Sequence, residues 1–357
     1  MTDSTFVIAE AGVNHNGSLE RALELVEVAA KCGADAVKFQ TFRAALLLSR
    51  DAPKAAYQTQ NTGSAESQYE MIARLELDAD AHRALLEKCR NSGVLFLSTP
   101  FDLSSVQMLV DFDVPMLKMG SGEITNAPLL LAAAQSGKPV LLSTGMCDLG
   151  DIESALGVLA FGYLGCDSPS ITEFERAYFS REGQKILREN VTLLHCTTEY
   201  PAPFGEVNLR AMKTLRAAFG LPVGFSDHTP GFAIAIAAVA RGARVIEKHF
   251  TLDRDLPGPD HRASLEPDEL AAMIQSIRQV EAALGDGRKI ASPGEFPNRA
   301  IARKSLVAAR NIRRGEAFSL ENLAAKRPGT GISALRLWEF AGKTATRDYA
   351  PDEQIES

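Results

Sequence analysis

The chain has 357 residues, 45% hydrophobic and 23% charged, the proportions of a folded globular protein rather than a disordered, collagen-like or coiled-coil one. Its formal net charge of −7 argues against a general nucleic-acid or membrane-surface binder, which needs a basic face, but leaves room for a small anionic substrate. Five scattered cysteines (Cys32, Cys89, Cys147, Cys166 and Cys196) without a C-x-x-C spacing give neither a disulfide framework nor a thiolate zinc site. The start MTDSTFVIAEAG has no basic region followed by a long apolar run, and no stretch reaches about 18 apolar residues. A cytoplasmic location is therefore the expectation.

Short apolar runs alternate with helical patterns along the chain. The first run, residues 6–9, ends in Glu10-Ala11-Gly12. Leu19, Leu23, Val26 and Ala30 then recur at helical spacing, with Ser18 as N-cap and Gly33 as stop. Further strands are read at 36–40, 94–98, 116–119, 140–143, 191–195, 223–226 and 245–249. Amphipathic segments at 81–90, 128–135, 209–219 and 267–284 fall between or after them. Repeated β-then-α units over residues 1–284 predict a (β/α)8 TIM barrel. A doubly wound open sheet is the alternative. The barrel is preferred because polar residues recur at the C-terminal ends of the strands, which converge on one mouth only in a barrel.

Two segments break this rhythm. Residues 163–190 are longer than a connection requires and hold one polar helical stretch, 172–190. Residues 285–302, rich in Gly, Pro and charge, read as a linker. A small unit follows over 303–357, with a short strand at 306–308 and two segments of the same outline at 311–316 and 349–353. It is too small to be comfortably stable alone and is expected to dock on another surface.

The strand ends carry the chemistry. His228 and His249 end adjacent strands, so both imidazoles can reach one divalent ion, with Glu10, Asp227 and Asp260 as nearby carboxylates. Either histidine alone reads equally well as a satisfied structural residue. Lys38 and Lys118 interrupt apolar strands, which is costly unless each meets an anion. The plain explanation is an ion pair with a barrel glutamate such as Glu10 or Glu123. The functional one is a phosphate and carboxylate clamp. Small donors at other strand ends favour the clamp: Ser98-Thr99, Gly120-Ser121-Gly122, Ser143-Thr144-Gly145 and Ser226. Cys196 beside His195 reads as core rather than as a nucleophile. The glycine-rich turns match no nucleotide-binding pattern.

The ordered motifs IAEAGVNHNG (8–17), AVKFQTF (36–42), FLSTPFD (96–102), KMGSGEITNAPL (118–129), LLHCTTEYPAPF (193–204), GFSDHTPG (224–231) and KRPGTGIS (326–333) resemble the bacterial sialic acid synthases over nearly the whole chain. That family includes N-acetylneuraminate and N,N'-diacetyllegionaminate synthases. The resemblance implies a (β/α)8 barrel followed by a C-terminal antifreeze-like (SAF) domain. It implies condensation of phosphoenolpyruvate with an N-acylated mannosamine-type sugar, releasing phosphate. It also implies a divalent metal, Mn²⁺ first, with Mg²⁺ or Co²⁺ as alternatives, on His228 and His249. By the same resemblance, phosphoenolpyruvate contacts fall on Lys38, Thr99, Lys118, Ser121, Ser143 and Ser226. Sugar contacts fall on Glu10, Gln40, Tyr200 and Asp260, with Asn61 aligned loosely. Glu10 and Glu123 are the candidates for proton transfer. Arg327 matches the arginine that the C-terminal domain of one subunit inserts into its partner's barrel, so a domain-swapped homodimer is expected. Thr197 and Thr198 stand where family members often carry asparagine. N-acetylmannosamine, giving N-acetylneuraminate, is the first expectation for the sugar. A 2,4-diacetamido-2,4,6-trideoxy-mannose, giving N,N'-diacetyllegionaminate, is the alternative. Rival readings are an aldol synthase for a phosphorylated sugar and a catalytically silent carbohydrate-binding protein.

Overall fold

Eight parallel strands build the first unit: β1 Phe6–Gly12, β2 Ala36–Thr41, β3 Leu95–Pro100, β4 Leu117–Met119, β5 Val140–Ser143, β6 Val191–His195, β7 Val223–Asp227 and β8 Val245–His249. In the computed structural model, which describes residues 4–63 and 65–357, their order is β3-β2-β1-β8-β7-β6-β5-β4. β3 and β4 pack side by side across the remaining gap, so the sheet curls into the expected barrel. Helices follow the strands, among them Leu19–Lys31, Ala79–Ser92, Ala127–Gln135, Ala211–Phe219 and Pro267–Leu284. Ser18 caps the first of these, its hydroxyl accepting from the Arg21 amide.

The period of two along each strand sorts the side chains. Outward positions such as Val7, Ala9, Val37, Phe39, Phe96, Leu142, Leu193, Phe225 and Ile246 join the core under the helices. Inward positions fall into layers. The lower layer is apolar: Ile8, Ala36, Leu97, Leu141, Leu194 and Val245 fill the barrel. Two residues further along each strand, the same inward face turns polar: Glu10, Lys38, Thr99, Lys118, Ser143, Ser226 and Glu247, all buried. The apolar plug below keeps these charges out of water on that side, and their only open direction is the barrel mouth.

One local reading is corrected. The stretch 172–190 is not one helix but two, Ile171–Phe179 and Arg181–Asn190. Ser180 between them is extended (φ −73°, ψ 152°), and its hydroxyl accepts from the Gly183 amide, capping the second helix. Between β2 and β3 lie three short helices, Ala44–Leu47, Ala56–Thr62 and Gln68–Ala73, too brief for a helical period to register.

The chain divides into two compact units, Met1–Gly285 and Asp286–Ser357. The second unit pairs β9 Ser305–Ala308 antiparallel with β10 Leu323–Lys326. Leu306, Ile312, Phe318, Leu323, Phe340, Tyr349 and Ile355 form its own small core. The segments 311–316 and 349–353 meet through one Ile312–Tyr349 bridge instead of forming strands. Residues read as a linker at 285–302 include a helix, Phe296–Ala302, entered through a turn at Pro293–Glu295. The Glu295 carboxylate accepts from the Ser292 amide to start that turn.

Candidate active site

A cavity of about 150 Å³ opens at the C-terminal ends of the strands. It is lined by Glu10, Lys38, Gln40, Thr99, Lys118, Ser121, Ser143, Tyr200, Ser226, His228 and His249, all singled out by sequence, together with Glu247, Cys196 and Thr198. The strand pleat explains this convergence. Parallel ladders set Glu10 opposite both Lys38 and His249, Gln40 opposite Thr99, and Ser226 opposite Glu247.

The floor is a chain of alternating charges. Lys38 Nζ lies 2.7 Å from Glu10 Oε2 and 3.7 Å from Glu247 Oε2, and it donates to Thr99 Oγ1 at 2.8 Å. Lys118 Nζ lies 3.3 Å from Glu247 Oε1, which also accepts from Ser226 Oγ at 2.9 Å. Both lysines are therefore paired with glutamates, Lys118 with Glu247 rather than Glu123, and both line the cavity. Burial pushes the Glu10 carboxyl up to about 7, against the opposing pull of Lys38. Burial acts the same way on Glu247, but Lys118 and Lys38 outweigh it and hold that carboxyl near 2. Lys38 stays above the ordinary lysine value because Glu10 and Glu247 outweigh its burial.

Several polar atoms at this site have no hydrogen-bond partner in the protein: Ser143 Oγ, Thr198 Oγ1 and His249 Nδ1 are buried and unbonded. Groups of this kind are rare unless a ligand satisfies them. Ser121 Oγ accepts from the Gly145 amide at 2.9 Å and lies 3.1 Å from Cys196 Sγ. Only glycine fits at 145, since a Cβ there would stand 2.3 Å from Thr198 Oγ1. Cys196 is thus buried, as read, but also forms part of the cavity wall. Gly12, at φ +53°, ends β1 with a register shift that brings its backbone against Glu10, Gln40 and His249.

His228 and His249 stand with ring centroids 5.6 Å apart. Burial lowers His228 to about 4 and holds His249 well below the usual histidine range, so both imidazoles are neutral. His228 Nδ1 donates to the Thr197 carbonyl at 2.6 Å, which leaves Nε2 with its lone pair. Two neutral nitrogens beside an unbonded Nδ1 fit a divalent ion. Among the described residues no group of three or more His, Cys, Asp or Glu forms a complete cage. The Tyr200 ring lies 4.1 Å from that of His228, tilted by 31°.

Other sequence candidates stand elsewhere. Asp227 faces outward on β7 and pairs with Lys248, because the pleat turns it away from His228. Glu123 is not in the cavity; its carboxylate accepts from Asn126 Nδ2 at 2.7 Å at the start of the next helix. Asn61 lines a separate cleft and donates to the Pro259 carbonyl at 2.6 Å. Asp260, in the loop after β8, is buried and pushed up to about 6 by that burial. Arg327 is exposed in the second unit, its Nε donating to the Ala302 carbonyl at 3.0 Å. Sequence reasoning missed Glu247. Its signal was present, since it lies two residues before His249 on one strand and so shares its face.

The NeuB family model matches residues 25–289, and a SAF domain model matches 303–356. The N,N'-diacetyllegionaminic acid synthase of Campylobacter jejuni is 52% identical over 98% of this chain and 98% of that protein. The protein of the same description from Legionella pneumophila is 44% identical over 94% of this chain and 89% of its own length. Among solved structures, the N-acetylneuraminic acid (sialic acid) synthetase of Leptospira borgpetersenii, in complex with citrate, superposes with a TM-score of 0.67 at 32% identity. It covers 83% of this chain and 90% of that one. This chain, a (β/α)8 barrel followed by a SAF domain, belongs to the NeuB family.

Proposed function

We propose that this chain condenses phosphoenolpyruvate with 2,4-diacetamido-2,4,6-trideoxy-mannose, giving N,N'-diacetyllegionaminate and phosphate. The observation that carries the chemistry is the buried row Glu10, Lys38, Glu247 and Lys118, closing on a cavity beside two neutral imidazoles. The sugar rests on the description shared by the relatives at 52% and 44% identity. N-acetylmannosamine, the first expectation from sequence, becomes the alternative.

Lys38 and Lys118 are the cations that would bind the carboxylate and phosphate of the enol phosphate. Thr99, Ser121, Ser143 and Ser226 would supply neutral donors. Held in this way, C3 of the enol phosphate attacks the sugar aldehyde and forms the new C–C bond. Water adds to C2, and the tetrahedral carbon then expels phosphate to leave the ketone. The water loses both protons in becoming the ketone oxygen: one goes to the aldehyde oxygen and the other leaves with the phosphate. Glu10, near 7, is suited to exchange a proton at this point. His228 and His249 would hold the divalent ion, Mn²⁺ first, which when bound supplies Lewis-acid polarisation of the aldehyde. Gln40, Tyr200 and Asp260 border the side on which the sugar would lie.

A cytoplasmic, domain-swapped homodimer belongs to the same proposal. No helix of the described residues is long and apolar enough to cross a membrane. All five cysteines are free, which suits a reducing compartment. The second unit exposes Arg327, Leu335 and Trp338. It carries 13 Lys and Arg against 9 Asp and Glu, whereas the barrel carries 25 against 36. Opposite charges favour docking of this unit over another copy's barrel.

Purified enzyme with phosphoenolpyruvate, Mn²⁺ and each sugar tests the reading through phosphate release. The diacetamido sugar is expected to give a kcat/KM roughly tenfold or more above that of N-acetylmannosamine. The reverse order would return the assignment to N-acetylneuraminate. Chelation should abolish release and Mn²⁺ restore it; full activity in EDTA would remove the metal from the reading.

A further inference from the structure

Tyr57 lies outside the residues placed so far around the cavity. It belongs to the short helix Ala56–Thr62, where it shares a face with Asn61 one turn later. The Asn61 bond to the Pro259 carbonyl holds this face against the loop that carries Asp260. The Tyr57 ring packs on Tyr200, with centroids 5.1 Å apart and planes 36° apart. Tyr200 in turn covers His228, and His249 meets it nearly edge-on at 5.6 Å and 87°. The rings thus run in contact from the outer loop to the imidazoles. Tyr200 lies in irregular backbone after β6, so no ladder fixes its ring. Its place is set by the faces it stacks on. The cavity volume of about 150 Å³ is below the roughly 300 Å³ of small pockets that enclose a ligand, so a second substrate must extend onto the rim. Tyr200 lines the cavity, and Tyr57 packs on the Tyr200 ring.

We propose that Tyr57 is a positioning residue for the sugar: its ring clamps Tyr200 against His228 and so fixes where the Tyr200 hydroxyl meets the sugar. This rests on the condensation reading above.

Steady-state kinetics of full-length Tyr57→Ala, Tyr57→Phe, Tyr200→Ala and the Ala–Ala double variant test the clamp. Tyr57→Ala is expected to raise the sugar KM about three- to tenfold, the worth of one aromatic pair, and to leave the phosphoenolpyruvate KM within about twofold. Tyr57→Phe keeps the ring and should stay within about twofold of wild type. On the Tyr200→Ala background, Tyr57→Ala should add less than about twofold, because its route to the sugar is already gone. An unchanged sugar KM in Tyr57→Ala, or its full effect on the Tyr200→Ala background, overturns the clamp. If Tyr57→Ala does not fold, Tyr57→Leu carries the same comparison. Wild-type enzyme that releases no phosphate with either sugar overturns the condensation reading instead. The clamp is then read by calorimetry with the alditol of N-acetylmannosamine. Weaker binding by Tyr57→Ala supports the clamp, and equal binding, or none by wild type, overturns it.

Discussion

Glu247 and Lys248 are neighbours in the chain and both buried, yet they belong to different kinds of place. Lys248 points outward from β8. Its ammonium lies 3.1 Å from Asp227 and donates to the Thr229 carbonyl, while Asp227 accepts from the Thr229 amide and hydroxyl. One cation meets one anion, and neither side chain lines the cavity at the barrel mouth. Glu247 points inward, where two lysines and two glutamates also balance formally. There Ser143, Thr198 and His249 keep unbonded polar atoms around an open volume. Burial and charge pairing are common to both places. Unmatched hydrogen-bonding capacity beside a cavity distinguishes the functional one, so a buried ion pair alone is weak evidence for a site.

Substitutions on the two sides should break this comparison in opposite ways. Lys118→Ala removes a cation from the open side. Turnover of the folded protein should fall by about two to three orders of magnitude, as when a preorganised charge donor is lost. Activity within a few-fold of wild type would mean that Lys118 serves only Glu247. Lys248→Met removes a cation from the closed side and leaves Asp227 buried without its partner. Chemical denaturation should show a loss of about 3–5 kcal/mol, with turnover of the folded fraction nearly kept. A stable but inactive Lys248→Met protein would contradict the division between the two faces.

Ser143→Ala sharpens the argument, because the wild-type hydroxyl has no protein partner to lose. On the proposed reading a bond from it to a charged substrate would be worth about 1.5–3 kcal/mol, so the phosphoenolpyruvate KM should rise roughly tenfold or more at unchanged stability. A melting shift without a KM change would mark it as structural.

The smallest expected effect concerns pH and contrasts the two units. Burial lowers His15 and His261 from 6.5 to about 4 in the folded barrel. The unfolded chain therefore takes up these protons first. This contribution to stability is complete above about pH 6.5 and is lost as the pH falls toward 4. The second unit contains no histidine. Peptide-resolved hydrogen exchange, corrected for the intrinsic pH dependence, should show weaker protection at pH 5 in the barrel only. Equal loss in both units would remove the histidines as its cause.

Most of the fold was legible because its signals are local. Each of the eight strands announces itself as an apolar run, and Ser18 and Gly33 mark a helix start and stop within a few residues. The break at Ser180 was not legible, since it depends on one hydroxyl capping one helix inside a polar stretch that reads as continuous. The short helices between β2 and β3 were hidden for lack of a full period, and Tyr57 with them.

The site was legible in its residue types but not in its partnerships. Lys38, Lys118, His228 and His249 mark a polar mouth together, although a single strand-end histidine does not: His195 ends β6 and bonds the Val207 carbonyl. Sequence by itself thus determined the barrel, its charged layer and the family motifs, all of which follow from spacing along one chain. Only the tertiary structure decided that Glu247 joins Lys38 to Lys118, that Asp227 and Glu123 stand outside, and that Tyr57 reaches Tyr200. Those facts depend on which face of a strand or helix meets which neighbour across the fold, and separation along the chain carries no record of that.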